Sequence, residues 1–131
     1  MEIEERLAKT EKCLEELKEG WVLVEGLKDK SALEKLGIGK ILTISGNLKI
    51  SCEKLACEHE SEKVYVLTDL DRRGDEQAKR AIEVLESHSI RGDLEMRKRL
   101  AFLLRIKFFE DALRAYHQIK EEGEKHGKNI H

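Results

Sequence analysis

A chain of 131 residues, 40 % of them hydrophobic, is long enough for one domain with one core and too short for two. Its 25 Lys and Arg against 27 Asp and Glu give a formal net charge of −2, so no global positive field draws in a polyanion and any phosphate-bearing partner must be held locally. No apolar stretch approaches the roughly 20 residues that span a bilayer, and MEIEERLAKTEK is charged from its second residue, which predicts a cytoplasmic protein with no membrane partner.

In chain order, Ile3, Leu7, Leu14 and Leu17 share one helical face, so residues 3–18 read as an amphipathic helix closed by Gly20, a lid on the domain. WVLVEG follows as a continuous apolar run, the pattern of a strand buried on both faces in a parallel sheet. KDKSALEKLG carries helix formers and a closing glycine, residues 40–44 read as a second strand, and Ser45-Gly46-Asn47 turns the chain. Residues 49–58 predict a short helix, 64–68 a third strand and 74–86 a long helix with Ala78, Ala81, Ile82 and Leu85 on one side. A fourth strand is expected near 88–91.

Two helices then follow over 94–104 and 109–119. Met96, Leu100, Leu103 and Leu104 form the apolar face of the first, and Phe109, Ala112, Leu113, Tyr116 and Ile119 that of the second. GEKHGKNIH has no apolar period and is expected to fray. The resulting division is an N-terminal helix over 1–19, an alternating strand-helix core over 20–92, C-terminal helices over 93–122 and a tail over 123–131. Such alternation implies parallel strands joined by right-handed crossovers, with helices on both sheet faces.

Ligands of these sheets sit beyond the carboxyl ends of the strands. Glu25 ends the first strand, and Asp69 and Asp71 end the third within KVYVLTDLD. An extended chain throws Asp69 and Asp71 to one side. If the two strands are neighbours, three carboxylates converge on one crevice. Hard oxygen ligands of this kind suit magnesium, which keeps several waters and completes its shell with substrate phosphate. Asp29 is assigned to capping its own helix.

Cations lie close by. Lys28, Arg72 and Arg73 are candidate phosphate clamps, and Gly74 opens a helix whose first amides face the crevice. The stretch from Arg91 to Lys107 carries Arg97 and Arg99 among six basic residues and reads as a basic face for a nucleic-acid backbone. Cys13, Cys52 and Cys57 are odd in number and form no CxxC rhythm, which suits a reducing compartment. Cys52, Cys57 and His59 are poorly spaced for a structural zinc site.

VLVEGLKD followed by LTDLDRRGDE resembles the Toprim domain shared by bacterial-type primases, topoisomerases and small nucleases, with a strand ending in Glu-Gly and a later DxD. The resemblance spans about residues 20–92, and the ISG turn and RGDLEMRKRL make the chain most similar to the small stand-alone Toprim proteins of archaea. It implies a single Rossmann-like α/β domain of about four mostly parallel strands. It also implies that Glu25, Asp69 and Asp71 act with magnesium, or manganese as substitute, in making or breaking phosphodiesters.

Departures narrow the activity. Type I topoisomerases of this group carry a sequence resembling TDPDREGE, and Arg73 stands where they have a third acid, so one metal ion is expected. Ribosomal-RNA-maturing Toprim nucleases tend to have lysine directly after Glu-Gly, whereas here Leu27 precedes Lys28. A topoisomerase needs a further domain with a nucleophilic tyrosine, and a primase its partner domains. Two functions remain: magnesium-dependent hydrolysis of nucleic acid, or non-catalytic, magnesium-dependent binding of nucleic acid or phosphate. An aspartyl-phosphate phosphatase also uses DxD, but at its first strand and in a DxDxT context that Arg73 breaks.

Overall fold

The computed structural model describes residues 1–45, 47–58 and 63–129. In chain order the elements are α1 (Ile3–Leu17), β1 (Trp21–Val24), α2 (Leu27–Lys35), β2 (Ile41–Thr43), α3 (Leu48–Glu58), β3 (Val64–Leu67) and α4 (Arg72–Ser87). β4 (Gly92–Asp93), α5 (Glu95–Leu104), a 3-10 turn (Phe109–Asp111) and α6 (Ala112–Asn129) complete them. The strands form one sheet in the order β2-β1-β3-β4, parallel throughout, with Val24 opposite both Thr43 and Leu67.

WVLV and VYVL carry no polar residue because side chains on both faces are covered. Val22, Val24, Tyr65 and Leu67 point to one side, where Leu14 and Leu17 of α1, Leu33 of α2, Leu100 and Leu104 of α5 and Ile119 of α6 complete a core. Leu23, Val64 and Val66 point to the other, against Leu48 and Cys52 of α3 and Ala78, Ala81 and Leu85 of α4. The alternation of the pleat thus sorts consecutive strand residues into two cores, giving three layers.

Most boundaries shift by a residue or two from the sequence reading, α4 beginning at Arg72 instead of Gly74, and three elements depart further. The fourth strand lies at Gly92–Asp93, after the expected 88–91, because Ser89 turns into the left-handed region at φ 60 and Ile90 packs into the second core. Gly92 can then sit under α4, where a Cβ would lie 2.4 Å from Ile82 Cδ1. The last helix runs to Asn129 where fraying was expected from 123, and Gly123 is buried against Leu7 of α1. The 109–119 helix divides into a 3-10 turn and α6. His59 and Gly46 lie outside the described residues. Among the described residues, no helix is long and apolar enough to cross a membrane.

Candidate metal centre

From β1 the chain passes first to β2 on one side and then to β3 on the other. That reversal leaves a crevice beyond the carboxyl ends of β1 and β3, where no crossover helix covers the strand ends. Glu25 and Asp69 enter it from the two strands. Glu25 Oε2 accepts a hydrogen bond from the Asp69 amide at 2.7 Å, and Asp69 Oδ1 accepts from the Phe109 amide at 3.0 Å. Asp71 Oδ1 accepts from the Gly74 amide at 2.7 Å and caps α4. Each of the three carboxylates is therefore aimed by one backbone amide, and the Glu25 and Asp69 carboxyl groups also meet each other.

Burial, with Glu25 and Asp29 as acidic neighbours, pushes the Asp69 carboxyl up to about 7 despite the Phe109 amide. Asp29 is buried and shifted upward for the same first reason, with Glu25 and Glu110 adding to it. Its Oδ2 accepts from the Gly26 amide at 3.0 Å, so it caps α2 while also adding negative charge behind Glu25 and Asp69. The close partnership in this centre is Glu25 with Asp69. Asp71 follows the end of β3 by four residues, outside the pleat that was expected to pair it with Asp69, and is engaged at the helix start.

Two features hold the Asp69 peptide in place. Arg97, 3 % exposed, donates from Nε to the Thr68 carbonyl at 2.7 Å and from Nη2 to the Asp69 carbonyl at 2.5 Å and Asp75 Oδ1 at 2.7 Å. Gly74 packs so closely that a Cβ there would fall 1.8 Å from the Asp69 carbonyl oxygen. Thr68 Oγ1 donates to the Gly74 carbonyl at 2.7 Å, completing the bracket. Behind it, the Leu70 amide donates to the Lys107 carbonyl at 2.7 Å and ties in the turn that supplies Phe109.

The Toprim domain model matches residues 21–103, from the first residue of β1 through α5. The chain belongs to the Toprim family. A UPF0292 protein of Pyrococcus furiosus is 38 % identical over 76 % of each chain, and one of Thermococcus onnurineus is 32 % identical over 96 % of this chain and 97 % of its own. Among solved structures, a putative protein from Aquifex aeolicus superposes with a TM-score of 0.67 at 30 % identity, covering 77 % of this chain and 95 % of that one. This is a small Toprim protein of archaeal type, and Toprim membership points to a metal-dependent function related to nucleic acid.

Among the described residues of this Toprim domain, no three His, Cys, Asp or Glu side chains stand close enough together to hold a metal ion. Carboxylate oxygens are nonetheless the donors that magnesium takes: Glu25 and Asp69 bring their carboxyl groups into contact, Asp71 has one oxygen beyond its bond to the Gly74 amide, and the raised Asp69 carboxyl marks negative charge that the protein itself does not balance.

The expected phosphate contacts scatter. Arg73 lines a crevice of about 640 Å3 with Glu25, Ser45, Asn47, Gln77 and Arg80. Arg72 is exposed and pairs with Glu76 at 3.5 Å. Lys28 borders a separate hollow with Glu110 and Arg114. Gly74 is buried, with its amide committed to Asp71. Arg97 spends its donors inside the protein, and Arg99 lies between α1 and α5, 3.7 Å from Glu16. Within the basic stretch from Arg91 to Lys107, Arg97 is thus turned to the interior and Arg99 toward α1. Arg80 escaped the sequence reading, although its spacing from Arg73 and Gln77, i, i+4 and i+7, marks one helical face. The Phe109 amide left no side-chain signal.

Proposed function

We propose that this Toprim protein is a magnesium-dependent nucleic-acid phosphodiesterase in which Glu25, Asp69 and Asp71 hold the ion, with manganese as a working substitute. The observation that carries the reading is the uncompensated carboxylate pair at the switch point, with the Asp69 carboxyl raised to about 7. When bound, magnesium would neutralise these acids and polarise a phosphodiester oxygen. Asp69 is fixed by the Phe109 amide and by the Arg97 bracket on its carbonyl, and the ion would replace the proton it shares with Glu25. Glu25 holds the Asp69 amide with one oxygen, and its other oxygen either shares the ion or, left unliganded, accepts a proton from an attacking water. Arg73, beside Glu25 in the crevice, supplies positive charge toward phosphate.

Asp69→Asn and Asp71→Asn are expected to abolish cleavage of mixed RNA and DNA substrates, Glu25→Gln to cripple it, and metal chelation to stop it. Equal cleavage by wild type and variants would assign the activity to a contaminant. The alternative, a non-catalytic module gripping phosphate through magnesium, draws support from the engagement of Asp71 as a helix cap. It predicts magnesium-dependent binding with no turnover on any substrate.

A further inference from the structure

Resting on the nucleic-acid reading, we infer that Arg73 and Arg80 form a two-phosphate track along α4, so that the ligand is a polynucleotide strand with consecutive phosphates leading away from the acids. The two side chains line the same crevice as Glu25, with Glu76 and Gln77 between them and Ser45 and Asn47 also lining it. Seven residues of helix separate their backbones by about 10 Å along the axis, a spacing over which two extended guanidinium groups span neighbouring phosphates of one strand. Gln77 offers an amide to the sugar or base in between.

Their pairing distinguishes them from an ordinary solvated helix face. Glu76 stands four residues before Arg80, the favourable order for a helical ion pair, yet it is bonded to Arg72. Arg73 and Arg80 are exposed and hold no ion pair among the described residues, whereas Arg97 is consumed by Asp75 and two carbonyls. Asn47 caps α3 by accepting from the Ile50 amide at 3.1 Å, so the positive end of that helix also faces the crevice. Arg73 lies where the topoisomerase-like pattern has its third acid. A fixed cation occupies that place, suited to the phosphate beside a single metal ion, and Arg80 receives the next one.

The test is binding of a labelled phosphorothioate oligonucleotide, which resists cleavage, to the full chain in magnesium across a salt series. Arg73→Gln and Arg80→Gln should each weaken binding about five- to tenfold and lower the log–log salt slope by about 1. Lys79→Gln, the same charge loss on the other side of α4, should leave both unchanged, and Arg80→Lys should restore most of the affinity. A nucleoside monophosphate should bind wild type and Arg80→Gln alike. Wild-type affinity and slope in both arginine variants, or an equal loss in Lys79→Gln, would overturn the track. Arginine-dependent binding without turnover would keep the track and remove the phosphodiesterase. Cleavage that persists with KM unchanged in the double variant would do the reverse.

Discussion

Asp69 and Asp93 each lie at a parallel strand of the same sheet, and their surroundings treat them in opposite ways. Asp93, in β4, has Lys63 Nζ at 3.1 Å and the Met96 amide at 3.0 Å, which together hold its carboxyl below the usual range although burial pushes the other way. Asp69, beyond β3, has one amide, two acidic neighbours and no ion pair among the described residues, and it is raised to about 7. The guanidinium nearest to it, Arg97, binds its carbonyl. One aspartate is therefore a finished structural joint, and the other is built with its charge unanswered. The difference supports the proposal that an external cation is held beside Asp69.

The largest effects should come from breaking the bracket that holds the Asp69 end. Arg97→Ala leaves the buried Thr68 and Asp69 carbonyls without their donor and opens a cavity, at a cost of about 3–4 kcal/mol in urea unfolding. Gly74→Ala should cost about 2–3 kcal/mol and weaken magnesium binding more than tenfold, because the new Cβ and the Asp69 carbonyl cannot both keep their places. Titration calorimetry with magnesium reads the second effect. Unchanged metal affinity in a folded Gly74→Ala variant would separate the loop from the site.

Next in size are the aspartates themselves, and here the signs should differ. Asp93 has a lowered carboxyl, so its contribution is present above its unfolded pKa and is lost as pH falls through the folded one, in the acid range. Asp93→Asn should therefore destabilise by about 1–2 kcal/mol at pH 7 and by less in acid. Asp69 has a raised carboxyl, so its contribution is full below about pH 4 and is lost as pH rises through about 7. In metal-free buffer Asp69→Asn should become more stable relative to wild type across that window, by about 1–2 kcal/mol after screening in the half-open crevice. Parallel pH profiles for the two pairs would dissolve the contrast.

Much of this contrast was legible in the residues. The continuous apolar runs WVLV and VYVL, separated by helical segments, contain the parallel sheet, and the acids that follow them mark its carboxyl edge. What composition hides is where each charge is spent. Arg97 and Arg73 look alike in sequence, yet one is 3 % exposed and bound to main-chain carbonyls while the other opens on the crevice. Backbone donors leave no trace in residue type, so the Phe109 amide could not be foreseen from position 109. Asp71 was read as half of a pair because an extended chain alternates, but the strand ends at Leu67 and the next turn aims Asp71 at Gly74.

The smallest effect tests whether the missing cation can be supplied. Leu27, 72 % exposed, follows Glu25-Gly26 at the first position of α2, where related nucleases resemble a lysine. Leu27→Lys places an ammonium near Glu25 and Asp69, so metal-free protein should gain stability above pH 7, where Asp69 is charged, and none below pH 4. The gain should stay under about 0.5 kcal/mol. Solvent screens so exposed a charge, and a cation at a helix N-terminus opposes the helix dipole. Thermal melts of wild type and Leu27→Lys at pH 8 and pH 4, in chelator and then in magnesium, read the difference. Magnesium should erase the gain at pH 8, because the ion answers the same carboxylates more fully than a mobile lysine can. A gain of equal size at both pH values would trace it to helix packing and leave the charge of Asp69 out of the account.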